Sequence, residues 1–209
     1  MDKSYWNKFY KNRNELMQPS TFAVFCHRNF LQPNSNIIEL GSGDGRDSIF
    51  FAKEGYVVTG LDQSEEACSI AREKVELLNL NSAVFNQSDF TKDRFEDYNE
   101  VDSFYSRFTL HSINEFEEDR VIENVKYKVK KGGLFLIEAR TIEDPLMGKG
   151  EKISHNEFIT DHYRRFLDPD LLAKKCIDIG FKIEYRLTSD NLSVVGKDNP
   201  VLLRLVLRN

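Results

Sequence analysis

From Asn36 onward, short apolar runs alternate with longer stretches in which apolar residues recur every three or four positions. That alternation predicts strands over 36–40, 56–61, 82–88, 101–107 and 134–140, with helices over 45–54, 64–79 and 116–131 between them. The strands are too uniformly apolar for a sheet wetted on one face. They fit a parallel sheet covered by helices on both sides and wound by right-handed crossovers. Ser64 is placed to cap the helix over 64–79. The polar stretch 91–100 is short, so the crossover there is expected to be reduced. Toward the end, Asp168, Pro169 and Gly180 bracket a helix over 168–179. The runs 181–189 and 201–207 then read as an antiparallel hairpin joined by 190–200. Ahead of the sheet, Lys3–Asn14 and Ser20–Leu31 read as two helices, broken from the first strand by Pro33-Asn34-Ser35. The segment 141–167, with Pro145, Gly148 and Gly150, reads as a long loop, and loops of that length usually carry function.

The first strand runs into Glu39-Leu-Gly-Ser-Gly-Asp-Gly45, three glycines at alternate positions followed by a helix. Gly41 and Gly43 allow a sharp turn and a close backbone approach to a ligand. The helix beginning near Gly45 turns its free N–H groups toward the same place. Asp62 ends the second strand about twenty residues after the first glycine, the spacing of a ribose-binding carboxylate. Together they indicate a nucleoside cofactor. A dinucleotide fingerprint would require glycine at position 46, which is Arg.

Glu39 to Gly45 resembles motif I of class I S-adenosylmethionine (SAM)-dependent methyltransferases. Asp62, Ser88-Asp89-Phe90 at the end of the third strand, and Lys131-Gly132-Gly133 before the fifth extend the resemblance over nearly the whole chain. The resemblance implies a Rossmann-like α/β domain over 1–209, with a seven-stranded, mostly parallel sheet and a reversed last strand. It implies SAM as methyl donor and S-adenosylhomocysteine as product. Glu39, Gly41, Ser42, Gly43, Asp62, Gln63, Asp89, Phe90 and Ser106 would then surround the cofactor. Asp62 would accept from the ribose hydroxyls and Asp89 from the adenine amino group, with Phe90 beside the ring. A helix cap for Asp62 and a turn carboxylate for Asp89 are the plain alternatives.

The opening Tyr5-Trp6-Asn7-Lys8-Phe9-Tyr10 is similar to the lid of thiopurine- and tellurite-resistance-type methyltransferases. This makes 1–31 a helical cap, with Trp6 and Tyr10 over the cofactor, or simply an amphipathic helix on the core. Tyr105-Ser106-Arg107-Phe108-Thr109-Leu110-His111 occupies the position that bridges cofactor and acceptor. It lacks the Asn-Pro-Pro-Tyr pattern of enzymes that methylate amino groups of bases or glutamine. Arg107, His111 and His162 are the candidate catalytic residues, His111 being an acid–base group, an acceptor ligand or a packed histidine. Tyr163, Arg164 and Arg165 are candidate acceptor ligands, since paired arginines suit phosphate or carboxylate, or form a salt-bridged loop. This assigns 141–167 to the acceptor side. Asp161–Phe166, Tyr105–His111 and Asp198–Arg204 together resemble methyltransferases encoded with bacterial capsule and surface-polysaccharide genes. That resemblance implies a small anionic acceptor, a phosphorylated sugar or phosphoramidate precursor.

With 34 acidic against 29 basic residues, the net charge of −5 disfavours polyanion binding, so no nucleic-acid partner is expected. Lys126, Lys128, Lys130 and Lys131 fall in the last turns of the helix predicted over 116–131, where they complement its dipole. Cys26, Cys68 and Cys176 are too scattered for a disulfide framework or zinc spacing, and reduced thiols suit a cytoplasmic protein. Neither a leader nor a membrane-spanning run is evident, so no membrane partner is expected, and the cysteine spacing gives no expectation of a metal, in a monomer or homodimer. A nicotinamide-dependent reductase and a SAM-binding module without turnover stand as alternatives.

Overall fold

A computed structural model describes residues 3–10, 18–99 and 101–209. Helices α1 (Lys3–Tyr10) and α2 (Thr21–Asn29) precede β1 (Asn36–Leu40), α3 (Arg46–Lys53), β2 (Val57–Asp62), α4 (Glu65–Leu77) and β3 (Ala83–Gln87). The chain continues through β4 (Val101–Arg107), α5 (Glu115–Lys128) and β5 (Val129–Arg140). The short strands β6 (Glu151–Lys152), β7 (Glu157–Ile159) and β8 (Tyr163–Arg165) follow. After them come α6 (Pro169–Asp178), β9 (Lys182–Ser189) and β10 (Leu202–Arg208).

The principal sheet has seven strands in the order β3-β2-β1-β4-β5-β10-β9. β1 to β5 are parallel, and β10 runs antiparallel to both of its neighbours. The reversed last strand expected from the sequence is therefore present. Alternation along each strand divides the core into two layers. Ile38, Leu40, Phe104, Phe135 and Leu205 face α5 and α6, while Ile37, Val58, Tyr105, Leu136 and Val206 face α2, α3 and α4.

Local chemistry sets the element ends. Ser20 Oγ accepts from Ala23 N at 3.0 Å, Ser64 Oγ from Ala67 N at 3.2 Å, and Asp168 Oδ1 from Asp170 N at 2.8 Å. Asn114 and Glu117 close a reciprocal capping box on α5. The connection from β3 to β4 contains turns and no helix among its described residues, as its composition implied.

Two expectations need correction. Helix α5 stops at Lys128, and Lys130 and Lys131 already belong to β5. Gly132, at φ +79°, donates its N–H to Asn209 O at 2.8 Å, which pulls this stretch into the sheet. Lys130 Nζ accordingly pairs with Asp102 Oδ1 on β4 at 2.9 Å. The segment 141–167 is not a plain loop, since β6, β7 and β8 form a small antiparallel sheet within it. The helix expected over Lys3–Asn14 is observed as α1, and residues 11–14 lie outside the described residues. Cys26, Cys68 and Cys176 are free and buried in the core.

Candidate active site

The sheet order β2-β1-β4-β5 brings the C-terminal ends of four parallel strands side by side, where open α/β sheets bind ligands. A cavity of about 450 Å³ lies there, within the range of small-molecule sites. Tyr5, Trp6, Phe9 and Tyr10 of α1 line it.

The β1–α3 turn forms one wall. Gly41 has φ +69°, and a side chain there would run into Thr109 and approach Phe90. Gly43 has φ +54°, and its missing side chain leaves room for the Tyr10 hydroxyl. The close approaches that require glycine are thus met by protein side chains, one of them from α1. Asp62 holds the turn from across the strand, Oδ2 accepting from Gly43 N at 2.9 Å and Oδ1 from Ser64 N at 2.8 Å. Burial raises its pKa against the pull of these two bonds. Ser64 Oγ also donates to Asn7 Oδ1, tying α1 to the end of β2.

Charge is divided across the cavity. Glu39, Asp44, Asp47 and Asp62, with Arg46 beside them, stand at the β1–α3 turn and the end of β2, and Arg107, His111, Arg140, His162 and Arg164, with Asp161 and Asp198 among them, stand near the ends of β4 and β5 and at β8. On the acidic side, Glu39 accepts from Ser48 Oγ, and burial followed by the neighbouring Asp47 pushes its pKa well up. Asp44 pairs with the buried Lys74 at 2.6 Å. Asp47 accepts from Ser20 N, Ser20 Oγ and Tyr105 Oη at 2.7–2.8 Å. Arg46 also borders this side, its Nε donating to Gln18 O at 2.7 Å.

On the basic side, Arg107 Nε donates to Glu138 Oε1 at 3.0 Å and Nη2 to Ser193 Oγ at 2.9 Å. Arg140 pairs with Asp144 at 2.9 Å and with Asp198, and Arg164 with Asp161 at 2.7 Å. Arg140 N donates to His111 Nδ1 at 3.4 Å, so the ring's own proton sits on Nε2. Burial, then the charge of Arg140 and its neighbours, holds His111 far below an ordinary imidazole. With Nδ1 facing the Arg140 N–H, the ring can offer its Nε2–H toward the cavity. His162 Nδ1 lies 3.1 Å from Asp161 Oδ2, with the ring against Tyr5 and Trp6 at centroid distances of 4.5 and 5.2 Å. Burial and Arg164 lower the pKa of His162, opposed by Asp161.

Trp6, Tyr10, Glu39, Gly41, Ser42, Asp62, Arg107, His111, His162 and Arg164 therefore converge as expected, and Gly43 meets Tyr10. Six expected residues lie elsewhere. Arg165 points away from the cavity, with Nη2 on Glu118 Oε2 and Nε on Ile113 O, because neighbours on β8 face opposite sides. Tyr163, on the same strand, donates to Glu157 Oε1 at 2.7 Å on β7. Asp89 accepts from Thr91 N and Oγ1 and pairs with Lys92 at 2.9 Å, the arrangement of a turn carboxylate. Phe90 is fully buried in the core. Ser106 Oγ is engaged with Thr109 Oγ1 beneath the turn. Gln63 is buried behind β2, its backbone carbonyl taken by Gln87. Arg140, Asp44, Thr109, Asp161 and Asp198 are cavity residues that the sequence reading missed. Only Arg140, ending an apolar strand beside the predicted sheet ligands, carried a signal that could have singled it out.

Among the described residues no cluster of potential metal ligands occurs, and no helix is long and apolar enough to cross a membrane.

A family model described as a methyltransferase domain matches residues 31–178. An uncharacterized methyltransferase of Bacillus cytotoxicus is 30% identical over 98 residues, 47% of this chain and 43% of that protein. The matches span less than half the length of the first such curated relatives. Among solved structures, a SAM-dependent methyltransferase from Methanosarcina mazei superposes with a TM-score of 0.73 at 20% identity, covering 88% of this chain and 96% of that one. A glycopeptide N-methyltransferase complexed with SAM gives 0.70 at 17% identity, covering 93% and 96%. With its matched region spanning the glycine turn, Asp62 and the basic strand ends, this chain belongs to the methyltransferase domain family.

Proposed function

We propose that this protein transfers a methyl group from SAM to a small anionic acceptor, and that the acceptor is a phosphorylated or phosphoramidate precursor of a capsule or surface polysaccharide. The division of charge across one cavity carries the reading. A sulfonium and an ammonium group suit the wall formed by Glu39, Asp44, Asp47 and Asp62, while an anion suits Arg107, Arg140 and Arg164.

The residues present fit the cofactor. Ser42 Oγ in the glycine turn and His162 Nδ1 across from it, both on cavity-lining residues, are buried polar atoms without a hydrogen-bond partner among the described residues. Such groups are costly unless a ligand or water satisfies them. Glu39 and Asp62 would hold SAM, with Trp6 and Tyr10 covering it, and bound SAM supplies a methyl already activated on a sulfonium. The protein's work is then alignment and exclusion of water. Arg140 and Arg164 orient the acceptor, and His111 offers its Nε2–H. An anionic acceptor oxygen needs no base. For a hydroxyl acceptor, His162 would take the proton.

Incubating the purified protein with SAM and a panel of phosphorylated and nucleotide-linked sugars tests the reading by mass. A methyl gain on an anionic sugar is expected. Methylation confined to neutral acceptors would remove the basic wall from the mechanism. Failure to bind SAM by calorimetry would remove the cofactor assignment itself.

A further inference from the structure

The two ion partners of Arg140 are not alike. Asp144, four residues on, has a fully buried side chain, and its Oδ1 accepts from Leu146 N at 2.8 Å, so it belongs to the fold. Asp198 is 47% exposed and sits in the β9–β10 connection, where its backbone forms a reciprocal pair with Val195 at 2.9 Å. The same connection sends Ser193 Oγ to Arg107 Nη2 at 2.9 Å. A hydroxyl and a carboxylate from one surface segment thus rest on two guanidinium groups that border the cavity.

The segment is tied at its base and exposed at its tip, Asn191 N donating to Asn199 Oδ1 at 2.9 Å and Asn199 Nδ2 to Asn191 Oδ1 at 3.1 Å. Leu192 O is held by Thr21 Oγ1 and by Arg204 Nη2. Beyond it Val194 and Val195 are 55% and 66% exposed, so lifting the tip uncovers little apolar surface.

Resting on the reading that the acceptor is anionic, we propose that Arg140 is the anchor for the acceptor's charged group and that Asp198 keeps its place until the acceptor displaces it. The β9–β10 connection then selects for acceptors ending in a dianionic phosphate. A neutral acceptor cannot compete with Asp198 for the guanidinium. A monoanion exchanges one single charge for another. A dianion gains attraction to Arg140 and can also reach Arg107, where Ser193 now sits.

Inorganic phosphate and acetate are the probes, titrated calorimetrically into the full chain. Asp198→Asn should bind phosphate about five-fold more tightly, the effect of removing one partly exposed competing pair. It should also narrow the preference for phosphate over acetate. Arg140→Gln should abolish phosphate binding, and Arg140→Gln/Asp198→Asn should show no gain. In the unaltered protein, phosphate should speed amide exchange at residues 193–198, a measurement that decides the matter even if a variant fails to fold. Unchanged phosphate affinity in folded Asp198→Asn, a gain that persists without Arg140, or unaltered exchange at 193–198 would each overturn the proposal. SAM titration is a separate arm. SAM binding without any of these phosphate effects defeats this inference alone, whereas loss of SAM binding defeats the proposed function.

Discussion

The fully buried carboxylate of Glu138 on β5 accepts a 3.0 Å hydrogen bond from Arg107, its register partner on β4. Arg204, its register partner on β10, completes the row at 2.7 Å. One acid therefore fixes the basic wall of the cavity to the last strand. Glu138→Ala would leave two largely buried guanidinium groups uncompensated, and a loss of about 3–5 kcal/mol is expected. Urea unfolding measures it, and a loss below about 1 kcal/mol would show that water and the remaining partners of Arg107 and Arg204, Ser193, Thr21 and Leu192 O, compensate both arginines.

Asp62 is expected to matter twice, through the turn that it holds and through the cofactor that it faces. Asp62→Ala removes a charged acceptor from Gly43 N and Ser64 N, each bond contributing about 1.5–3 kcal/mol at most. SAM affinity should fall by calorimetry. A folded Asp62→Ala protein with undiminished SAM affinity would remove this carboxylate from the cofactor site.

Arg164 and Arg165 should part company. Arg164→Ala, at the cavity, should raise the acceptor KM and leave SAM affinity nearly intact, because only acceptor binding is lost. Arg165→Ala should leave KM alone and cost about 3 kcal/mol of stability, since Glu118 is 2% exposed. Lys175, 3.2 Å from the other Glu118 oxygen, keeps the loss at the lower end of that range. A KM effect from Arg165→Ala with unchanged stability would reverse the assignment.

His111 sets an acid limb of stability. Its folded pKa lies well below the ordinary value near 6.5, with burial the first cause and the charge of Arg140 the second. Above that value both states are neutral and the stability is fully present. As pH falls below it, the unfolded chain binds the proton first, and stability drops until the folded pKa is reached. His111→Gln, which keeps an N–H donor, should flatten this limb in urea unfolding performed from pH 7 downward. An identical slope in both proteins would assign the acid sensitivity to other groups.

Helix α1 should respond to cofactor through Gly43. Gly43→Ala is strained at positive φ and would push against the Tyr10 ring. It should loosen α1, seen as faster amide exchange over residues 4–10, while the sheet stays protected. In the unaltered protein SAM should slow exchange over the same residues, because closure over a ligand orders the cover. Equal protection with and without SAM would make α1 a fixed part of the fold.

By itself the sequence determined the alternating strands and helices, the terminal antiparallel hairpin and the glycine turn. Each of these rests on local features: a period of two or 3.6, a cap, a breaker, or a positive-φ glycine within a few residues of its neighbours. Tertiary structure decided the direction of neighbouring side chains and the pairing of distant ones. Arg164 and Arg165 are equivalent in composition, and the register of β8 on β7 puts one in the cavity and the other on Glu118. Asp89 resembled a cofactor ligand because the end of β3 is the expected place for one, yet Thr91 and Lys92 claim it in the turn. Arg140 and Asp198 are separated by 58 residues, and no periodicity links them. They meet because β10 folds back antiparallel on β5, carrying the connection that precedes it over the cavity. Such ion pairs depend on where the strand ends of the whole sheet fall, a property of the whole chain and not of any window of it.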